Sequence, residues 1–218
     1  MNLDNLNQSQ KEYVEDILEN FKTLNFKNYN DLKFNSTKTK NIDLIIGQDE
    51  FITLSLLTKK EDLKELNIIS IFEPNENILP NSFYNNFNSS FIMVFSDIRK
   101  DIDKKLENNE FSIEIHNLLS ELEIKKEDFD NLIKYVKNNK DKKFVINCHA
   151  GISRSAAIAY ILEDILNENI ENKNFEQDKI LKHWRYSPNP IVINKYLSFQ
   201  NKNFIKIKDN EEDLENIF

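Results

Sequence analysis

The clearest chemistry of this chain lies in one short stretch. It holds a cysteine, an arginine six positions later, and a serine directly after the arginine. Cys148 is the only cysteine, Gly151 is one of two glycines, and Arg154 is one of three arginines. The spacing combines a nucleophilic sulfur, a bend and a planar guanidinium fork within one short loop. Ser155 is placed to hydrogen-bond the sulfur, which would make it a better leaving group. The residue types predict a phosphate-binding loop built around a nucleophilic thiolate.

The flanking residues predict the elements that hold this loop. Phe144, Val145 and Ile146 are typical of the end of a buried strand, and the apolar run over residues 156–166 predicts a largely buried helix. A loop that closes onto a helix N-terminus directs several backbone N–H groups at one point, where the helix dipole favours negative charge. Arginine can hold two oxygens of a phosphate at once. An oxyanion site is therefore expected between strand and helix.

The run Asn-Cys-His-Ala-Gly-Ile-Ser-Arg-Ser-Ala over residues 147–156 closely resembles the signature loop of the cysteine-dependent protein tyrosine and dual-specificity phosphatases. It is most similar to the small dual-specificity-type enzymes of bacteria and phages. The resemblance implies a phosphocysteine intermediate on Cys148, with no metal and no organic cofactor. It also implies that the phosphate is bound by Arg154 and by the backbone N–H groups of the loop, from His149, Ala150, Gly151, Ile152 and Ser153. One departure is Asn147, where the family usually has a histidine that orders the loop, and this implies weaker activation of the nucleophile.

The general acid is expected on a neighbouring strand end. Asp97 follows the apolar strand predicted at residues 91–95, and the family places its aspartate at the end of such a strand. Asp101 and Asp103 are close enough in sequence to be alternatives. The spacing from Asp97 to Cys148 is longer than is usual in the family, which we attribute to a charged, mostly helical insertion at about residues 100–123.

Strands and helices alternate along the chain, which predicts an α/β fold with a central, mostly parallel sheet flanked by helices. The resemblance implies the dual-specificity-phosphatase arrangement of such a sheet. A short helix is expected at residues 58–66, with Thr58 as N-cap and Glu61 completing a capping box. Residues 51–57 fit either a strand or the start of a helix. The remaining predicted elements are helices at 9–24, 126–138 and 177–184, strands at 42–46 and 67–72, and an irregular loop at 75–90. A last helix is predicted at 194–199. It follows a Pro-Asn element that also resembles the family.

Three segments are expected along the 218 residues. Residues 1–41 form a helical extension that packs on the domain, residues 42–200 form the phosphatase domain, and residues 201–218 form an acidic tail. No internal repeat or second domain boundary is evident.

Composition excludes several function classes. The net charge of −8 and the pI near 5.1 argue against a nucleic-acid partner, which needs a basic surface. A single cysteine excludes an intramolecular disulfide, and three dispersed histidines give no support for a metal site. The N-terminus lacks a signal-peptide pattern, and no window reaches the apolar length of a membrane span. A soluble, cytoplasmic protein with no membrane partner is predicted.

The leading hypothesis is a phosphomonoesterase that acts on phosphorylated proteins or peptides. The resemblance suggests phosphotyrosine, with phosphoserine or phosphothreonine as further substrates. The main alternative is a pseudophosphatase that binds phosphoproteins without turnover, which Asn147 keeps open. A sulfur- or arsenate-handling enzyme is disfavoured because there is no second cysteine to resolve an intermediate. The cluster His183, Trp184 and Arg185 either packs a helix end, which is the commoner role, or binds substrate. Oligomeric state stays open.

Overall fold

The computed structural model describes residues 7–23, 36–74, 76, 78–98, 122–167 and 173–205. The predicted insertion, apart from its last two residues, lies outside this set, as do Asp101, Asp103 and most of the acidic tail. The described helices are α1 (Gln8–Thr23), α2 (Gln48–Leu57), α3 (Lys60–Leu63), α4 (Lys126–Asn138), α5 (Arg154–Leu166), α6 (Lys173–Leu181) and α7 (Pro190–Phe199). The described strands are β1 (Ile42–Ile46), β2 (Leu66–Phe72), β3 (Ser89–Val94) and β4 (Lys143–Asn147), and a 3₁₀ turn spans Asn81–Phe83.

The four strands form one sheet in the order β1-β4-β2-β3, and every pairing is parallel. β1 and β2 are buried along their whole length, as expected for β-branched runs in a sheet covered on both faces. One apolar cluster joins a face of the sheet to α4, α5 and α7. A second cluster joins the other face to α1, α2 and the 3₁₀ turn. The predicted α/β fold with a parallel sheet between helical layers is confirmed.

α5 is the central helix of the first layer. Its residues from Arg154 to Ile165 are all buried, and its alanines allow the helix to lie close to β1 and β4. The apolar run that follows the cysteine therefore forms the buried helix that its composition predicted. On the opposite layer, Val14 and Ile17 bury one face of α1 against α2.

Two local predictions need correction, and one open alternative is decided. Residues 51–57, which fitted either a strand or the start of a helix, are helical and belong to α2, which begins at Gln48. The capping box at Thr58 is wrong, because Thr58 ends α2 with its N–H on the Leu54 carbonyl, and its hydroxyl is buried without a described partner. α3 begins only at Lys60 and has no side-chain cap. α6 spans Lys173–Leu181, several residues earlier than the predicted helix at 177–184.

Parallel strands end at one edge of their sheet, and that edge collects the polar residues of this chain. β1 leads to Gly47, β2 to Glu73, β4 to Cys148, and β3 is followed after two residues by Asp97. Ligand sites of such sheets lie beyond the carboxyl ends of the strands. Among the described helices, none combines the length and the apolar character needed to cross a membrane.

Candidate active site

The predicted phosphate loop lies between the end of β4 at Asn147 and the start of α5 at Arg154. Cys148 is 3% exposed, so its sulfur lies at the bottom of the loop. Cys148 Sγ donates to the Ser155 hydroxyl oxygen at 3.3 Å, and the same hydroxyl would donate to the sulfur of a thiolate. The first turn of α5 therefore places a hydroxyl within hydrogen-bond distance of the sulfur, as the sequence predicted.

The loop is held through its carbonyl groups. The backbone N–H groups of residues 149–153 donate no hydrogen bond to any part of the chain that the structure describes. The outward-facing carbonyls accept bonds from three neighbouring segments, while the amide donors stay available for a ligand. These bonds are Gln48 N to His149 O at 3.0 Å, Ser187 N to Ile152 O at 3.2 Å, Asn189 N to Ser153 O at 3.3 Å and Ala157 N to Ser153 O at 2.9 Å.

The two glycines of the chain meet at the base of this loop. Gly151 has φ +72°, and a Cβ there would lie 2.4 Å from Gly47 N and from the Ile46 carbonyl carbon. Only glycine provides both the left-handed backbone and the missing side chain. A Cβ on Gly47 would meet His149 O at 3.2 Å, a milder contact. The loop therefore packs directly on the backbone of the β1–α2 turn.

Arg154 presents one edge of its guanidinium to the site. Its side chain is 5% exposed, and Nη1 donates to the Phe95 carbonyl at 3.1 Å and to Glu73 Oε1 at 2.9 Å. Nε is buried without a hydrogen-bond partner, and Nη2 has none among the described residues. Nε and Nη2 form the pair of parallel donors that matches two phosphate oxygens. Glu73 and Phe95 thus fix the guanidinium and leave its bidentate edge unused.

Asp97 lies beside the loop, on the segment that follows β3. Its Oδ1 accepts hydrogen bonds from Ser153 Oγ at 2.9 Å and from Asn189 Nδ2 at 2.6 Å. Both donors converge on Oδ1, and Oδ2 has no hydrogen-bond partner among the described residues. These contacts place Asp97, the predicted acid, beside the loop and orient its carboxyl group.

Asn189 joins three parts of this arrangement. Its side-chain oxygen caps α7, accepting from Ile191 N at 2.9 Å and Val192 N at 3.2 Å. The amide nitrogen donates to Asp97 and, at 3.1 Å, to the Ile98 carbonyl. Its backbone N–H binds the loop at Ser153. The Pro-Asn element seen in the sequence is therefore a clamp between the loop, the acid segment and the last helix.

Asn147 is buried at the end of β4, and its Oδ1 accepts a hydrogen bond from Ser70 Oγ on β2 at 2.6 Å. The side chain thus anchors the last residue before Cys148 to the neighbouring strand. His149 is an exposed residue of the loop, with its ring 70% exposed and Nδ1 3.3 Å from Glu76 Oε1. At this exposure the contact between His149 and Glu76 contributes little to stability.

The cluster His183–Trp184–Arg185 divides into separate roles. Arg185 forms a bidentate ion pair with Glu50, from Nη1 to Oε1 at 2.9 Å and from Nη2 to Oε2 at 2.5 Å. Glu50 Oε2 also accepts a hydrogen bond from Gly47 N at 2.7 Å. Burial alone would lower the pKa of Arg185, but the hydrogen bond and charge of Glu50, with smaller contributions from Tyr186 and Cys148, raise it. Burial, and then the charge of Arg185, lower the pKa of His183. The pair of Arg185 and Glu50 thus ties α2 to the segment before α7 near the sulfur.

Sequence reasoning did not identify Glu73, Glu50, Asn189 or Ser70 as parts of the site. Glu73 carried a usable signal, because it ends a predicted buried strand of the same parallel sheet. The other three act through contacts that no local pattern indicates.

Within the described ranges, no group of three or more histidine, cysteine, aspartate or glutamate side chains is arranged to hold a metal ion. Compared with known proteins, the chain matches no protein-family model and no curated protein. The site must therefore be interpreted from its own geometry.

Proposed function

We propose that this protein is a cysteine-dependent phosphatase that hydrolyses phosphomonoesters on proteins or peptides. One observation carries the proposal: free amide donors and the open edge of Arg154 surround a buried sulfur that has a hydroxyl donor behind it. This is the donor set that a transferring phosphoryl group requires, because charge spreads over its equatorial oxygens in the transition state. The fold is consistent with the dual-specificity-phosphatase arrangement that the loop sequence implies.

The reaction proceeds in two displacements. In the first, Cys148 Sγ attacks phosphorus, the phosphorus–oxygen ester bond breaks, and Asp97 gives its proton to the leaving oxygen. In the second, water attacks phosphorus, the phosphorus–sulfur bond breaks, and Asp97 takes the proton from the water. Ser155 stabilises the thiolate as it leaves. Loop amides and Arg154 hold the equatorial oxygens throughout, so no metal or organic cofactor is needed.

The substrate is proposed to be a phosphorylated protein or peptide in the cytoplasm, bearing phosphotyrosine and also phosphoserine or phosphothreonine. Neither a nucleic acid nor a membrane surface is expected as partner, given the acidic chain.

A second function, phosphoprotein binding without turnover, is favoured by the surroundings of Asn147. The hydrogen bond of this side chain goes to Ser70 on the next strand, whereas the family histidine at this position helps order the loop. A loop ordered in another way could bind an oxyanion and still activate the sulfur poorly.

Steady-state hydrolysis of an aryl phosphate by the purified protein separates the two functions. The phosphatase proposal expects turnover in the wild type, competitive inhibition by vanadate, and no turnover in Cys148→Ser. Binding of vanadate without wild-type turnover would support the binding module instead. Activity that persists in Cys148→Ser would rule out the cysteine mechanism.

A further inference from the structure

Trp184 is the most exposed large apolar side chain in the described part of the protein, at 79%. It is also the only tryptophan of the chain. Tryptophan is highly buried on average, so an indole left in water calls for a reason. Aromatic residues of this kind are enriched where proteins bind partners.

The indole is held in place by a column of stacked rings. At the buried end, the Tyr186 hydroxyl donates to the Ile45 carbonyl of β1 at 3.1 Å and accepts from Thr37 N at 3.2 Å. His183 stacks on Tyr186 with ring centroids 4.6 Å apart, and Trp184 stacks on His183 at 5.8 Å. The interplanar angles are 26° and 25°, so each ring stacks on its neighbour with a moderate tilt. An aromatic side chain held in this way loses little conformational entropy when it binds a ligand.

The segment that carries the column runs along the phosphate loop. Ser187 N donates to the Ile152 carbonyl of the loop at 3.2 Å, and Asn189 N donates to the Ser153 carbonyl at 3.3 Å. Ile152 is itself 40% exposed on that side of the loop. Trp184 is thus carried three positions before Ser187, on the segment that hydrogen-bonds the side of the loop where Ile152 is exposed.

We propose that Trp184 is a specificity-determining residue, which stacks on the aromatic group of an aryl phosphomonoester such as phosphotyrosine. The inference rests on the proposed function, because it takes the phosphate to lie in the loop. A phosphoserine side chain has no aromatic face and so cannot stack on the indole. Aromatic pairing then favours the aryl ester by roughly threefold to tenfold in affinity.

The fluorescence of this single tryptophan tests the contact directly. Cys148→Ser keeps the loop amides and Arg154, so ligands can be titrated without turnover while calorimetry measures their binding. We expect phosphotyrosine to change the indole emission, and phosphoserine and inorganic phosphate to bind with little change. An equal change with inorganic phosphate or phosphoserine would overturn the proposal, as would no change when phosphotyrosine is bound, or no binding of phosphotyrosine.

Kinetics provide the second test. Trp184→Ala should raise KM for a phosphotyrosine peptide by roughly threefold to tenfold, with kcat and the inhibition constant of vanadate unchanged, and Trp184→Phe should restore most of the loss. Phe204→Ala is the matched control, because Phe204 is 69% exposed beyond the far end of α7. An unchanged KM in Trp184→Ala would overturn the role of the indole while turnover stands. An inactive wild type whose indole still responds to phosphotyrosine would reject the phosphatase and keep the recognition site.

Discussion

Asn189 binds Asp97 and also caps α7, so a substitution at this position can separate an effect on catalysis from an effect on stability. Asn189 caps α7 with its side-chain oxygen and holds Asp97 Oδ1 with its amide nitrogen. Asn189→Ser retains an oxygen that can cap the helix, because serine is as good an N-cap as asparagine. It removes both amide hydrogens, and with them the bonds to Asp97 and to the Ile98 carbonyl. The substitution therefore releases the acid and leaves the helix start intact.

The expected effect follows from the 2.6 Å bond between Asn189 Nδ2 and Asp97 Oδ1. A hydrogen bond to a charged group contributes about 1.5–3 kcal/mol. Each ~1.4 kcal/mol lost from transition-state stabilisation lowers the rate about tenfold. Since Ser153 Oγ still holds Oδ1 at 2.9 Å, part of the orientation remains. We expect kcat to fall about tenfold, and at most a hundredfold, for a poor leaving group.

The assay compares phenyl phosphate with an activated aryl phosphate, whose leaving group needs little protonation. Asn189→Ser should lower kcat for the first and have little effect on the second. Asn189→Ala serves as the control, with the same kinetic loss and an additional ~1 kcal/mol lost from the free energy of unfolding, because the cap is gone too. Equal losses for both leaving groups, or normal kcat in Asn189→Ser with only stability reduced, would refute the clamp.

Three further predictions concern other parts of the site. Gly151→Ala should lower the free energy of unfolding by more than ~1 kcal/mol, because the added Cβ has no room at φ +72°. It should also abolish vanadate binding. Gly47→Ala should lower the free energy of unfolding, measured by urea denaturation, by a smaller amount. Equal effects of the two would contradict the described packing. Arg154→Lys should lower kcat about a hundredfold, since lysine keeps the charge and loses the two parallel donors; near-normal kinetics would mean that this edge does not face the phosphate. Ser155→Ala should slow breakdown of the phosphoenzyme by about tenfold or more. Pre-steady-state kinetics should then show a burst of product release. A slowed first turnover without a burst would assign Ser155 to the attack step instead.

Local patterns predicted the parts of the fold in which neighbours in sequence decide the outcome. The apolar face of Lys126–Asn138 and the buried run Ile42–Ile46 were located with the bounds that the structure has. Cys148, Gly151 and Arg154 could be recognised together because they lie within one short loop, the proposed phosphate site. The prediction of Thr58 as an N-cap was wrong for a local reason as well. The residues before it are also helical, so Thr58 ends one helix instead of starting the next.

The supporting contacts could not be predicted because they join residues that are distant in sequence. Asn189 meets Asp97 across 92 positions, and Glu50 meets Arg185 across 135. Ser70 and Asn147 become neighbours only because β2 pairs with β4. No periodicity or spacing encodes such pairs, since strand order and the packing of α7 on the loop decide them. The position of Asp97 after a predicted strand indicated that it lies near the loop. The donors that orient its carboxyl group could be identified only from the structure.

The central claim, that Cys148 carries the phosphoryl group during turnover, is tested most directly by trapping the intermediate. Asp97→Asn should still be phosphorylated by an activated aryl phosphate, because that leaving group needs no acid, but it lacks the base for the hydrolysis step. The intermediate should therefore accumulate, and mass spectrometry after a rapid quench should find one phosphoryl group on the peptide that contains Cys148. Product release with no phosphoryl group on that peptide, or with the group on another residue, would contradict the account.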